Sequence, residues 1–81
     1  MPSVFLTPQS LKDYKKLPGV EQKKIKKRLA LLETNLYSGK RLAGKLGEVY
    51  SLRAWPYRIL YIIQDKEAWV THIAHRQGIY K

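Results

Sequence analysis

The 81-residue chain contains no cysteine, which excludes a disulfide framework and any thiolate metal site. No apolar run approaches the roughly 20 residues that a membrane-spanning helix needs. The N-terminus, "MPSVFLTPQS", lacks the basic-then-apolar pattern of a secretory signal, so the cytoplasm is the expected location. There is no glycine-rich phosphate loop. With only two histidines and six Asp+Glu, a metal site has too few ligands, and no cofactor is expected. Nothing in the context of the serines supports Ser/His/Asp hydrolysis. Acids are scarce beside sixteen Lys+Arg, and the formal net charge is +10. Such a field draws polyanions: nucleic acid first, then an anionic membrane surface or an acidic protein. Hydrophobic residues make up 44% of the chain, enough for a modest core in a single domain spanning residues 1–81.

The patterning divides cleanly. Residues 3–6, "SVFL", form a short β-compatible start. Thr7 followed by Pro8 is a helix-start signal, a hydroxyl cap with proline at the first helical position. Leu11, Tyr14 and Leu17 share one face of a short helix, which Pro18 and Gly19 break. A longer helix is expected over residues 20–37. Ile25, Leu29, Leu32 and Leu36 make its apolar stripe, and Ser38 and Gly39 end it. Two helices joined by so short a break form an antiparallel hairpin. Residues 40–48, "KRLAGKLGE", read as a basic, glycine-bearing connection. The period then turns strand-like over 49–54, 57–63 and 68–74, with a hairpin turn at "QDKE". There is no internal repeat. The expected fold is α+β, in the order β-α-α-β-β-β, with the helical hairpin packed on one face of a small, mainly antiparallel sheet.

Four residues stand out within this frame. Arg58 interrupts the core-like run "WPYRILYII", and an arginine is costly to bury unpaired. It either pairs with Glu48 or reaches water near a strand end, or it grips a phosphate from the rim of the sheet. Spacing alone leaves these readings balanced. His75, Arg76 and Tyr80 sit where the last strand runs out. A histidine moves protons near neutral pH, an arginine stabilises charge on a phosphorane, and a tyrosine stacks on a base or donates a hydrogen bond. The bland alternative is a polar tail. His72, in mid-strand, reads as structural. Lys23, Lys24, Lys27 and Arg28 give the second helix a basic face with almost no interleaved acid. That face suits docking on phosphates, which positions a protein without reading sequence.

Taken in order, these motifs resemble the RelE/ParE superfamily of toxins from toxin–antitoxin modules. "FLTPQSLKDYKKLP" resembles its first strand and helix, and "RLAGKLGEVYSLRAWPYRILYII" its most characteristic segment, L-x-G, then L-R, then Y-R-I-x-Y. "HIAHRQGIY" resembles its closing H-R-x-x-x-Y. The resemblance covers nearly the whole chain. It implies the RelE-like microbial RNase fold and, in the RelE branch, a metal-independent endoribonuclease that cuts mRNA in the ribosomal A site. There the ribose 2′-hydroxyl attacks the adjacent phosphate, and translation stops. It further implies that Arg58, His75, Arg76 and Tyr80 are catalytic, and that Lys40, Arg41, Lys45 and Arg53 join the helix lysines in binding RNA and ribosome. The implied partners are the 70S ribosome with its mRNA and a cognate antitoxin, acidic and partly disordered when free. The chain departs from the prototype toxin in two places. Two catalytic lysines on the second strand are matched by Val49 and Ser51, and an arginine before the tail motif by Ala74. The ParE branch, which poisons DNA gyrase, shares the fold and is the alternative, as is a non-catalytic RNA- or ribosome-binding module.

Overall fold

The computed structural model describes residues 3–42 and 49–75. Seven elements follow one another: β1 (Val4–Leu6), α1 (Pro8–Lys15), α2 (Gly19–Thr34), β2 (Lys40–Leu42), β3 (Val49–Ala54), β4 (Tyr57–Gln64) and β5 (Glu67–His75). The five strands form one sheet in the order β1-β5-β4-β3-β2. Only β1 with β5 is a parallel pair; the other pairs are antiparallel. The α+β architecture expected from the periodicity is present.

Local chemistry explains the helices. Thr7 caps α1, its hydroxyl accepting from the Ser10 N–H at 3.3 Å, with Pro8 in the first turn. The Ser10 hydroxyl is itself buried and donates back to the Thr7 carbonyl at 3.0 Å. Gln22 ties the two helices together by donating from its side-chain amide to the Tyr14 carbonyl, 3.0 Å. Ile25 and Leu32 are fully buried from α2 against Ile59, Tyr61 and Val70 of the sheet. These contacts, with Leu36, deliver the apolar stripe read from the sequence. α2 nevertheless ends at Thr34, three residues before the expected limit. Asn35 takes an extended conformation, its side-chain oxygen accepts from the Tyr37 N–H at 2.9 Å, and Ser38 donates to its carbonyl at 2.8 Å. Short polar side chains here offer the backbone a competing set of hydrogen bonds.

The stretch expected to be a connection holds a strand, β2. Three residues, two of them charged, carry no strand period, so the partner strand determines this pairing. What sets its place is Tyr61. The phenol hydroxyl enters the core, donates to the Leu36 carbonyl at 2.7 Å and accepts from the Gly39 N–H at 3.0 Å. The ring stacks on Tyr50 at 5.4 Å. A Cβ on Gly39 would fall 2.8 Å from the Tyr61 hydroxyl and 3.0 Å from the Ser51 carbonyl, so the approach requires glycine. Burial pushes the Tyr61 phenol above its usual value near 10.0. The Gly39 hydrogen bond offsets part of this, and nearby Tyr50 adds to it.

The far end of the sheet is closed differently. β1 covers only residues 68–70 of β5. Beyond it the Ile73 N–H finds the Asp13 carboxylate of α1, at 3.1 Å. Thr71 makes a bulge, since Leu60 is opposite His72 but Tyr61 is opposite Val70. The hairpin from β4 to β5 turns on Asp65 and Lys66, both at positive φ, as a two-residue primed turn requires.

Two predictions follow from these contacts. Tyr61→Phe leaves the Leu36 carbonyl and Gly39 N–H without their partner and lowers unfolding stability by about 1–3 kcal/mol in a denaturant titration. Because the folded-state pKa is raised, the contribution of Tyr61 is complete below the unfolded value. It is lost as pH rises through the folded one. Wild type therefore loses stability above pH ~10 more steeply than Tyr61→Phe, and equal alkaline slopes would contradict the assignment. Asp13→Ala costs about 1–3 kcal/mol by leaving a strand N–H unsatisfied, measured in the same way.

Candidate nucleic-acid interface

Strand register sorts the charged residues onto two faces. On the open face, away from the helices, one row runs Lys40, Ser51, Leu60, His72, and the next runs Arg53, Arg58, Ala74. On the helix side, Arg41 is opposite Tyr50, and His75 is opposite Tyr57. β2 pairs only with residues 49–51, so among the described residues positions 52–54 of β3 have a strand neighbour, β4, on one side and none on the β2 side. A cleft of about 440 Å³ opens along that edge toward α2. Four cations line it: Arg28 from α2, Lys40 from β2, Arg53 from β3 and Arg58 from β4, together with Ser51 and Trp55. Among the described residues no carboxylate lines it.

The lining is electrostatically suited to an anion. Arg53 and Arg58 are direct cross-strand partners, which concentrates positive charge at this point of the cleft. The Nε of Arg58 is shielded from solvent, so a phosphate at that guanidinium meets less dielectric screening than at the surface. Ser51 is only 7% exposed, and among the described residues its hydroxyl has no hydrogen-bond partner. A buried hydroxyl left in that state is unusual and points to a ligand. Trp55, 54% exposed, stands at the mouth in the β3–β4 turn. Lys24 holds that turn against the helix, donating to the Trp55 carbonyl and to Glu21, both at 3.2 Å.

The sequence expectations divide accordingly. Arg58 and the three cations Arg28, Lys40 and Arg53 converge. Lys24 is engaged in the contacts just described. Lys23 and Lys27 lie farther along the outer surface of α2, their stems flanking Ala30. Arg41 is on the other side of the sheet from Lys40. Arg76, Tyr80, Lys45 and Glu48 lie outside the described residues.

The expected convergence of His75 with Arg58 needs correction. The Thr71 bulge inverts strand alternation, so His75 falls on the helix-side face, edge-on to Tyr57 with ring centroids 5.6 Å apart. The same inversion turns His72, read as structural, outward onto the face of Arg58. It is the diagonal neighbour of Arg58, a relation that places Cβ atoms roughly 7–8 Å apart. Ser51 and Trp55 were missed as site residues. Strand alternation from Arg58 and the register of the hairpin are the signals that would have found them. Among the described residues no cluster of potential metal ligands occurs, and no helix is long and apolar enough to cross a membrane.

Comparison with known proteins identifies the family and the fold. A protein of Methanocaldococcus jannaschii named Putative toxin RelE1 is 36% identical over 78 residues, covering 88% of this chain and 86% of the relative. The toxin–antitoxin complex RelBE2 from Mycobacterium tuberculosis contains a chain that superposes with a TM-score of 0.81 at 28% identity. It covers 93% of this chain and 91% of that one. The RelB–RelE complex from Methanococcus jannaschii gives 0.75 at 25% identity, covering 94% of each chain. The family model for the ParE toxin of type II toxin–antitoxin systems matches residues 4–80, and the chain belongs to the RelE/ParE toxin superfamily.

Proposed function

We propose that this toxin is a ribosome-dependent endoribonuclease of the RelE kind. The observation that carries the reading is the cleft in which Arg53 and Arg58 face each other beside the buried Ser51 hydroxyl, with no carboxylate in the lining and no partner for that hydroxyl among the described residues. Such a site suits a phosphodiester. In the reaction the 2′-oxygen forms a bond to phosphorus and loses its proton, the bond from phosphorus to the 5′-oxygen breaks, and that oxygen takes up a proton. Arg53 and Arg58 neutralise the charge that builds on the non-bridging oxygens. His72, which shares the face of Arg58 whereas His75 does not, is the proton-transfer group in this reading. Trp55 offers a stacking surface to a neighbouring base. In the cytoplasm an acidic antitoxin would hold the toxin silent; the structural relatives include toxin–antitoxin complexes. The +10 charge favours both that partner and ribosomal RNA.

One observation favours a second reading. The family model is that of the ParE toxins, and the ParE branch acts on DNA gyrase. In that case the cleft would take up no RNA, and supercoiling by gyrase would be inhibited.

Primer extension on a defined mRNA with purified ribosomes separates the two. Wild type produces cuts only when the message is on the ribosome, and Arg58→Ala removes them while its unfolding curve persists. His72→Ala slows cutting by about 100-fold or more, in line with the loss of a general acid or base, whereas His75→Ala leaves most of it. No cuts from folded wild type, together with inhibition of gyrase, would replace this reading with the second.

A further inference from the structure

The cleft has two cationic rows, and only one is needed for the reacting phosphate. Lys40 and Ser51 are direct partners across β2 and β3, and Arg53 and Arg58 across β3 and β4. All four lie on the open face and line the same cleft. Ser51 and Arg53 are two residues apart on one strand, so the rows are separated by about 6.7 Å. That is close to the distance between adjacent phosphates in an extended single strand. The Lys40 row has its own mark of a binding site in the nine-tenths buried Ser51 hydroxyl, which no group among the described residues satisfies.

We infer that the cleft is a two-phosphate track for single-stranded RNA. Arg53 and Arg58 hold one phosphate, and Lys40 with the Ser51 hydroxyl holds its neighbour. The inference rests on the proposed RNA-cleaving function for its choice of ligand, and it assigns to Lys40 and Ser51 a positioning role in place of a part in the chemistry. The logic is that of register. A substrate gripped at two consecutive phosphates cannot slide by one nucleotide, and the attacking 2′-hydroxyl is thereby fixed against the phosphate at Arg58. Lys40 supplies the charge from β2 because the Tyr61–Gly39 contact seats that short strand beside Ser51.

The test uses the full-length protein and a short single-stranded RNA in which every ribose is 2′-O-methylated, so that it binds and is not cut. Affinity is followed against salt concentration. Each lost phosphate contact reduces the slope of log K against log salt by about 0.7 for a single strand. Lys40→Gln should show that loss, and Lys40→Gln combined with Arg53→Gln and Arg58→Gln, which together release the second phosphate, about twice as much. Ser51→Ala removes a neutral donor. It should weaken binding by about tenfold with the slope unchanged, and its melting temperature should equal or exceed that of wild type, because an unsatisfied buried hydroxyl is removed. A wild-type slope for Lys40→Gln, unaltered affinity for Ser51→Ala, or no binding by wild type would each overturn the track. The outcome is independent of cleavage. A protein that shows these slopes but makes no cuts on ribosomes keeps the track and loses the interferase reading. Cuts that survive with an unchanged Lys40→Gln slope do the reverse.

Discussion

Tyr61 carries a hydroxyl into a core of aliphatic and aromatic side chains, and two backbone groups meet it there. The Leu36 carbonyl and the Gly39 N–H belong to the segment that leaves α2, so the phenol fastens the exit of the helix to the middle of the sheet. An unpaired hydroxyl at that depth would cost more than most single contacts return. The segment therefore cannot drift without loss. Gly39 keeps the approach open, since any Cβ would strike the phenol. Lys40 follows at once, and with it the whole of β2. The basic cleft exists because this short strand is pinned in place and begins only at Lys40, opposite Ser51, so that residues 52–54 of β3 lie beyond its start.

The cleft inverts the usual logic of a folded surface. Basic residues are ordinarily spread out, and pairs of like charge are kept apart. Here two arginines face each other across adjacent strands, with a third arginine and a lysine lining the same cleft. On the proposed reading a phosphate chain lies along these charges and is complementary to them, and the solvent-shielded Nε of Arg58 strengthens the contact. The remaining lysines on α2 would then act at longer range, as a field that draws polyanions toward the molecule.

Much of this was legible in the sequence. The two helices, the strand-rich second half and the α+β class follow from apolar period, and Arg58 is conspicuous because it breaks a core-like run. What was not legible is instructive. Lys40, Arg41 and Leu42 have no strand period, so β2 is visible only once its partner is in place. Asn35 looks like an ordinary residue near a helix end, yet its local hydrogen bonds shorten α2. The Thr71 bulge matters most. Counted by simple alternation from Val70, His75 belongs on the face of Arg58 and His72 on the other. One extra residue exchanges them. No composition signal marks that bulge, because Thr is as suitable in a regular strand as in a bulged one.

The central claim is that phosphates of a single strand lie in the cleft at the edge of β3. A crystal structure of the protein with a short RNA whose reacting ribose lacks its 2′-hydroxyl tests it directly. The account predicts one phosphate within hydrogen-bond distance of both Arg53 and Arg58 guanidinium groups, with the RNA on the open face of the sheet. RNA lying along the lysines of α2 or against the helix-side face, with the cleft empty, would contradict it.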